Sequence, residues 1–235
     1  MISQYGQDLF VLEILFGQRG GFFLDSGASD GVKFSNTLLL EKYYGWQGIC
    51  VEPNSKFFRQ LEHNRNCPCI NVCFYDTNGS ADFLEDALAL GGILAEYAPD
   101  HLAYAQASFK LKTDKQGLLP TVPKATRTIR SVLQQYDAPR IIDYWSLDTE
   151  GSELTLLKSF PFDEYSFRIL TIEHNWLPQR KEIREFLAGA GYRFITPLGC
   201  DDCYVREKDY RHVLEALAGA AWRSAAWRRR GAFAN

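Results

Sequence analysis

Residues 21–31, GFFLDSGASDG, constrain this chain more than any other stretch: an apolar run of strand length stops at Asp25 and passes directly into a turn of glycine and small residues. Residues 35–44, SNTLLLEKYY, open with capping types, continue with leucines and aromatics, and stop at Gly45, which predicts a helix. Residues 46–52, WQGICVE, read as a second short strand ending in an acid. A helix over 54–64, with Phe57, Phe58 and Leu61 on one side, and a third strand over 69–75 follow. The rhythm resumes late, with a strand at 141–148 before the helix-like GSELTLLKSF, and a strand at 167–174 before a helix over 179–190. GYRFIT and CYVRE are expected to form an antiparallel pair at one edge. Alternation of this kind predicts a doubly wound α/β fold, a mostly parallel seven-stranded sheet with helices on both faces.

Between residues 81 and 127 the alternation breaks. Gly91, Gly92, Pro99, Gly117, Pro120 and Pro123 punctuate short apolar patches, and the stretch is too long for an idle connection. It is expected to be an insertion after the third strand, forming a lid or acceptor pocket. With 235 residues, 46% of them hydrophobic, residues 1–235 suffice for a single domain that includes this excursion.

Ligands of a doubly wound sheet bind beyond the carboxyl ends of the strands, where strand order reverses. The turn Asp25, Ser26, Gly27, Ala28, Ser29, Asp30, Gly31 lets backbone approach a ligand closely, while Asp25 and Asp30 supply carboxylates for a cationic amino-acid tail. Glu52, followed by Pro53, is placed to accept both hydroxyl protons of a ribose, and Asp76 is a candidate for an adenine amino group. A dinucleotide site shares this layout, but DSGASDG lacks the GxGxxG spacing. Its acid before the first glycine would repel a pyrophosphate and suits the sulfonium and ammonium of S-adenosylmethionine (SAM). Gln4, Tyr5, Gln7 and Asp8 precede the first strand, where a leading segment either folds over the cleft or caps a helix.

The strings SQYGQD (3–8), FFLDSGASDG (22–31), SNTLLLE (35–41), GWQGICVEPN (45–54), SLDTEGSELTLLKSF (146–160) and IEHN (172–175) resemble, in order, the FkbM-type SAM-dependent methyltransferases. The resemblance covers most of the chain outside the insertion and the C-terminal end. It implies a class I methyltransferase fold with a Rossmann-like sheet, and SAM, released as S-adenosylhomocysteine (SAH), held by Asp25, Gly27, Asp30, Gly31 and Glu52. Gln7, Ala28, Ser29, Asn36, Pro53, Asp76 and Asp148 complete the expected cofactor set. Family members act on oxygen and on nitrogen, so the acceptor does not carry over.

Methyl transfer needs the acceptor aligned with the methyl group and, for a hydroxyl, its proton removed. His174 is the expected general base, because imidazole titrates near neutrality and a flanking carboxylate can orient it. Asp148 is the second choice, with Glu173 beside it; Glu150 and Glu153 surround the same strand exit and read either as part of that cluster or as first-turn acids of the following helix, the helix-start role being preferred for Glu153. Asp148, Glu173 and Asn175 also suit Mg²⁺, yet EHN places a histidine between acid and amide, and no metal is assigned. The expected reaction is O-methylation of a sugar or natural product. The alternatives are N-methylation of an amine or amide, peptide side chains included, and a non-catalytic SAM- or nucleoside-binding module.

Twenty-six Lys and Arg against twenty-nine Asp and Glu leave a net charge of −3, which argues against a nucleic-acid partner. The start MISQYGQDLF carries no basic stretch before an apolar run, and no window reaches the roughly 18 apolar residues of a membrane span. A cytoplasmic chain without stable membrane insertion is expected, with Cys50, Cys67, Cys69, Cys73, Cys200 and Cys203 as thiols. Cys67 with Cys69 and Cys200 with Cys203 invite a zinc reading, but their strands are expected at opposite edges. The expected partner is a small-molecule or peptide acceptor. The Trp222 to Arg230 tail, two indoles with four arginines, suits a solvated helix end or the contact of a homodimer.

Overall fold

A computed structural model describes residues 3–175 and 178–219; the Trp/Arg tail lies outside them. In chain order the elements are α1 (Gln7–Ile14), β1 (Phe22–Ser26), α2 (Leu38–Tyr44), β2 (Gln47–Val51), α3 (Ser55–Asn64), β3 (Cys69–Ile70), β4 (Cys73–Phe74), β5 (Gly79–Phe83), α4 (Pro99–Phe109) and β6 (Val122–Arg127). Then come α5 (Ile129–Gln135), β7 (Ile141–Leu147), α6 (Glu153–Ser159), β8 (Ser166–Glu173), α7 (Gln179–Gly189), β9 (Tyr192–Leu198), β10 (Asp201–Arg206) and α8 (Tyr210–Gly219). The main sheet has seven strands in the order β3-β2-β1-β7-β8-β10-β9. β1, β2, β3, β7 and β8 run parallel, while β10 lies antiparallel to both β8 and β9. This is the doubly wound, class I methyltransferase arrangement. The chain winds outward from β1 to β3, then returns to lay β7 against the free side of β1, so the order reverses between β1 and β7.

Alternation along the strands builds two cores, one on each face of the sheet. Leu24, Ile49, Trp145 and Leu170 pack under α5, α6 and α7, whereas Phe23, Cys50, Tyr144 and Ile169 pack under α1, α2, α3 and α8. Trp145 stacks on Phe167 with ring centroids 4.6 Å apart, and its indole N–H donates to Ser26 Oγ at 2.9 Å. A buried core residue thereby fixes the last residue of β1 beside the cleft.

The expected third strand over 69–75 divides in two. Asn71 turns its amide onto the carbonyls of Glu52 and Pro53, at 2.7 and 3.0 Å, and the chain leaves the main sheet there. β4 pairs instead with β6, which pairs with β5, giving a separate three-stranded sheet. Residues 81–127 therefore return to their own starting point, and they carry α4 between the paired strands. Cys67 and Cys69 stand at the β3 edge, with β2, β1, β7 and β8 between them and the β10 pair, Cys200 and Cys203. All six cysteines are free. Among the described residues no helix is long and apolar enough to cross a membrane.

Candidate active site

The turn after β1 is fixed by backbone. Gly27 and Ala28 donate their N–H groups to Val51 O at 2.9 and 3.0 Å. Gly27 has φ +87°, and a Cβ on it would lie 1.8 Å from the carbonyl oxygen of Asp148. Only glycine lets the turn cross this close over the end of β7. Glu52, one residue past β2, accepts from Ser29 N at 2.8 Å and Asn54 N at 2.7 Å, one donor to each oxygen. Burial pushes its carboxyl up to about 7, against those two N–H groups. Each oxygen keeps a further lone pair for a ligand hydroxyl.

A cavity of about 420 Å³ opens between this turn and the exits of β7 and β8. Gly27, Ala28, Ser29, Asn36, Glu52 and Pro53 line one side, and Asp148, Glu150, Glu173 and Asn175 line the other. Asn36 donates to Ser146 Oγ at 2.9 Å, and its buried Oδ1 has no protein partner. Gln4, Tyr5 and Gln7 close the cavity from the N-terminal side; Gln7 donates to Asp201 Oδ2 at 2.8 Å. Asp8 instead binds Ser3 and caps its own helix start at Leu9 N. Leu88, Gly91 and Tyr104 of the insertion also reach the wall.

Several expected contacts fall elsewhere. Asp30 caps the N–H groups of Val32 and Lys33 at 2.9 and 2.8 Å, and it is absent from the cavity wall. Gly31 is a packing glycine, since a Cβ there would lie 2.6 Å from Leu61 and 2.8 Å from Arg65. Asp76 is exposed in the turn before β5 and is not among the wall residues. Asp25 lines the cavity, but its Oδ2 accepts from Thr37 Oγ1 at 2.5 Å, leaving one oxygen for a ligand. The largest departure is His174. Strand alternation sends Glu173 and Asn175 into the cavity and His174 to the opposite face, with Nε2 3.6 Å from Asp202 Oδ1. Burial, assisted by Arg180 and Arg184 against Asp202, holds its imidazole down to about 4. Outside the cavity wall and of lowered basicity, the ring is not placed where the expected general base would stand.

The carboxylates converge instead. Asp148, Glu150 and Glu173 bring oxygens within 4.8 Å of one another. Burial first, and mutual repulsion second, raise Asp148 and Glu173 well above the carboxylate range, while burial and Glu153 bring Glu150 to about 8. Shared protons relieve that crowding; a divalent cation would do so too, and these three would be its oxygen ligands. Asn175 turns its amide toward Glu150 at 3.4 Å. Glu153 spends its oxygens on the N–H groups of Thr149 and Gly151, the helix-start role expected of it. Glu150 does not share that role: with φ +57° it swings into the cavity, and His101 of α4 meets it at 3.1 Å. Glu150, Asp201 and His101 carried little signal in sequence. Glu150 looked like a helix-start acid, Asp201 lay between two eye-catching cysteines, and nothing near His101 marks it.

The Methyltransferase FkbM domain family matches residues 25–194, from the last acid of β1 into β9. The chain belongs to the FkbM methyltransferases. Solved structures similar to this FkbM protein include precorrin-6y C5,15-methyltransferase from Geobacter metallireducens, at 12% identity over 81% of this chain and 72% of that one, TM-score 0.42. A putative RNA methyltransferase from Pyrococcus horikoshii shares 14% identity over 87% and 88% of the two chains, TM-score 0.40. M. jannaschii TYW2 in complex with AdoMet shares 12% over 88% and 78%, TM-score 0.35. No curated protein matches the chain. As a SAM-dependent methyltransferase the protein needs a pocket for that cofactor, and the residues present fit it. Glu52 offers paired acceptors for a ribose, Asn36 holds an unused buried acceptor, and the facing wall is lined with carboxyls.

Proposed function

We propose that this FkbM methyltransferase methylates a hydroxyl of a sugar or natural-product acceptor, with a carboxylate of the Asp148, Glu150 and Glu173 group taking the proton. Bound SAM supplies an electrophilic methyl group on a cationic sulfur. Glu52 takes the ribose, Gly27, Ala28 and Ser29 admit the ligand backbone-close, and Asp25 and Asn36 face its amino-acid end. The observation that carries the reading is the set of three converging carboxyls at the ends of β7 and β8, Glu150 buried and Asp148 and Glu173 half-buried, facing Glu52 across one cavity. Crowded carboxyls cannot all ionise, so at neutral pH the group holds protons and still offers a base matched to the working pH. Residues 88–93 and Tyr104 of the insertion roof the acceptor side, and the protein acts in the cytoplasm on a small molecule or peptide.

One observation favours a second reading, methylation of an amine. Lys33 is the sole Lys or Arg among the described wall residues, against Asp25, Glu52, Asp148, Glu150, Glu173 and Asp201. Such a wall would hold a protonated amine. The methyl carbon shift of the product by NMR separates O-methyl from N-methyl. Asp148→Asn and Glu150→Gln are expected to lower kcat by about 10²–10⁴-fold, with SAH affinity kept in Glu150→Gln. Full turnover in both variants contradicts the assigned base. Activity is expected to survive exhaustive EDTA treatment; loss restored by Mg²⁺ would assign the three carboxylates to a metal instead.

A further inference from the structure

Beneath the cofactor turn lies a buried charge that is not itself part of the cavity wall but contacts two residues that are, Ser35 and Asp25. Arg65 follows α3, and its side chain is 0% exposed. Its Nε pairs with Glu41 of α2, Nη1 donates to Ser35 Oγ at 3.3 Å, and Nη2 donates to Thr37 Oγ1 at 2.9 Å. Nη1 also stands 3.9 Å from Asp25 Oδ2, and the guanidinium lies over the Phe23 ring at 5.4 Å. Burying a guanidinium is costly unless its donors are spent well, and here they are spent on the residues around Asp25.

The hydroxyl of Thr37 carries the consequence. A threonine oxygen has one proton to give. Because Thr37 Oγ1 already accepts from Arg65, its own O–H is turned away from the guanidinium and donates to Asp25 Oδ2 at 2.5 Å. The oxygen of Asp25 that faces inward is thereby satisfied, and the other is left to the cavity. We infer that Arg65, acting through Thr37, is a positioning residue that aims Asp25 at the cationic amino-acid end of the cofactor. This rests on reading the cavity as the SAM site. Asp25 is faced by Arg65 and Glu41, by the thiols of Cys50 and Cys67, and by Glu52 and Tyr144. Only Arg65 among them is a cation.

Two ligands separate aiming from mere support. SAH carries the ammonium-bearing tail; adenosine lacks it and engages only the Glu52 end. Calorimetric titration of both into Thr37→Val and Arg65→Lys is expected to show SAH weakened about tenfold, with adenosine within about twofold of the parent. Thr37→Ser, which keeps the hydroxyl, restores SAH affinity. The pH at which SAH affinity falls to half moves upward in Thr37→Val, because Asp25 loses a donor to its ionised form. Parallel weakening of SAH and adenosine, or SAH binding by Thr37→Val equal to the parent, overturns the inference while leaving the site intact. Failure of the parent protein to bind either ligand overturns the site reading, and this inference with it.

Discussion

Each side chain at the exit of β8 takes its role from the face it occupies. Leu170 and Ile172 point into the core under α7, and His174 shares their parity, so it meets Asp202, Arg180 and Arg184 and not the cavity. Its imidazole is neutral in the folded chain, held at about 4 against an ordinary value of 6.5. The unfolded chain therefore binds more protons between those limits, and stability falls as pH drops from about 6.5 toward 4. Asp202, held below the carboxylate range, continues the trend at still lower pH, where its pairing is lost on protonation. The raised carboxyls of the cavity, Glu52 and Glu150 among them, act oppositely over this range, so the histidine's part is the acid-side slope by which thermal melts of the parent from pH 7 to about 4 differ from those of its Gln variant. His174→Gln flattens that slope while leaving turnover unchanged; loss of turnover without loss of stability contradicts the placement. The string EHN marked the right strand end, and period-two counting from Ile172 would have sent His174 to the core. Chemistry was legible there, and direction was legible only once the strand's own pattern was followed to its last residue.

At the scale of elements, the contact between the β1 turn and the end of β7 makes the site. Gly27 and Gly17 both have positive φ, +87° and +69°, but only at Gly27 does a Cβ meet backbone, with nothing within 4 Å at Gly17. Gly17→Ala is expected to cost about 1 kcal/mol, the strain of the left-handed conformation alone. Gly27→Ala must also part β1 from β7, and an additional loss of about 2 kcal/mol or more, with abolished SAH binding, is expected. Equal melting temperatures for the two variants would show that the close approach is unimportant. The parallel strands could be read from apolar runs that end in acids. The division of the third strand could not, because Asn71 leaves the sheet for the Glu52 and Pro53 carbonyls, a contact between segments 18 residues apart. α5 was equally hidden: its Thr128 cap, which accepts from Ser131 N at 3.2 Å, sits beside a region whose irregular rhythm masked it.

Across the whole molecule, two walls from distant parts of the sequence meet over one cavity. The first 52 residues supply the turn, Asn36 and Glu52, and residues 148–201 supply the crowded acids; the insertion closes the gap between them. A chain whose net charge is only −3 has concentrated six carboxyls on this one surface, the feature on which the proposed cationic ligand rests. The most direct test is a crystal structure of the protein with SAH. It should show the ribose hydroxyls on Glu52, the ammonium toward Asp25, and the sulfur facing Asp148, Glu150 and Glu173. A cavity left without SAH, or SAH bound with its ribose away from Glu52, would contradict the account.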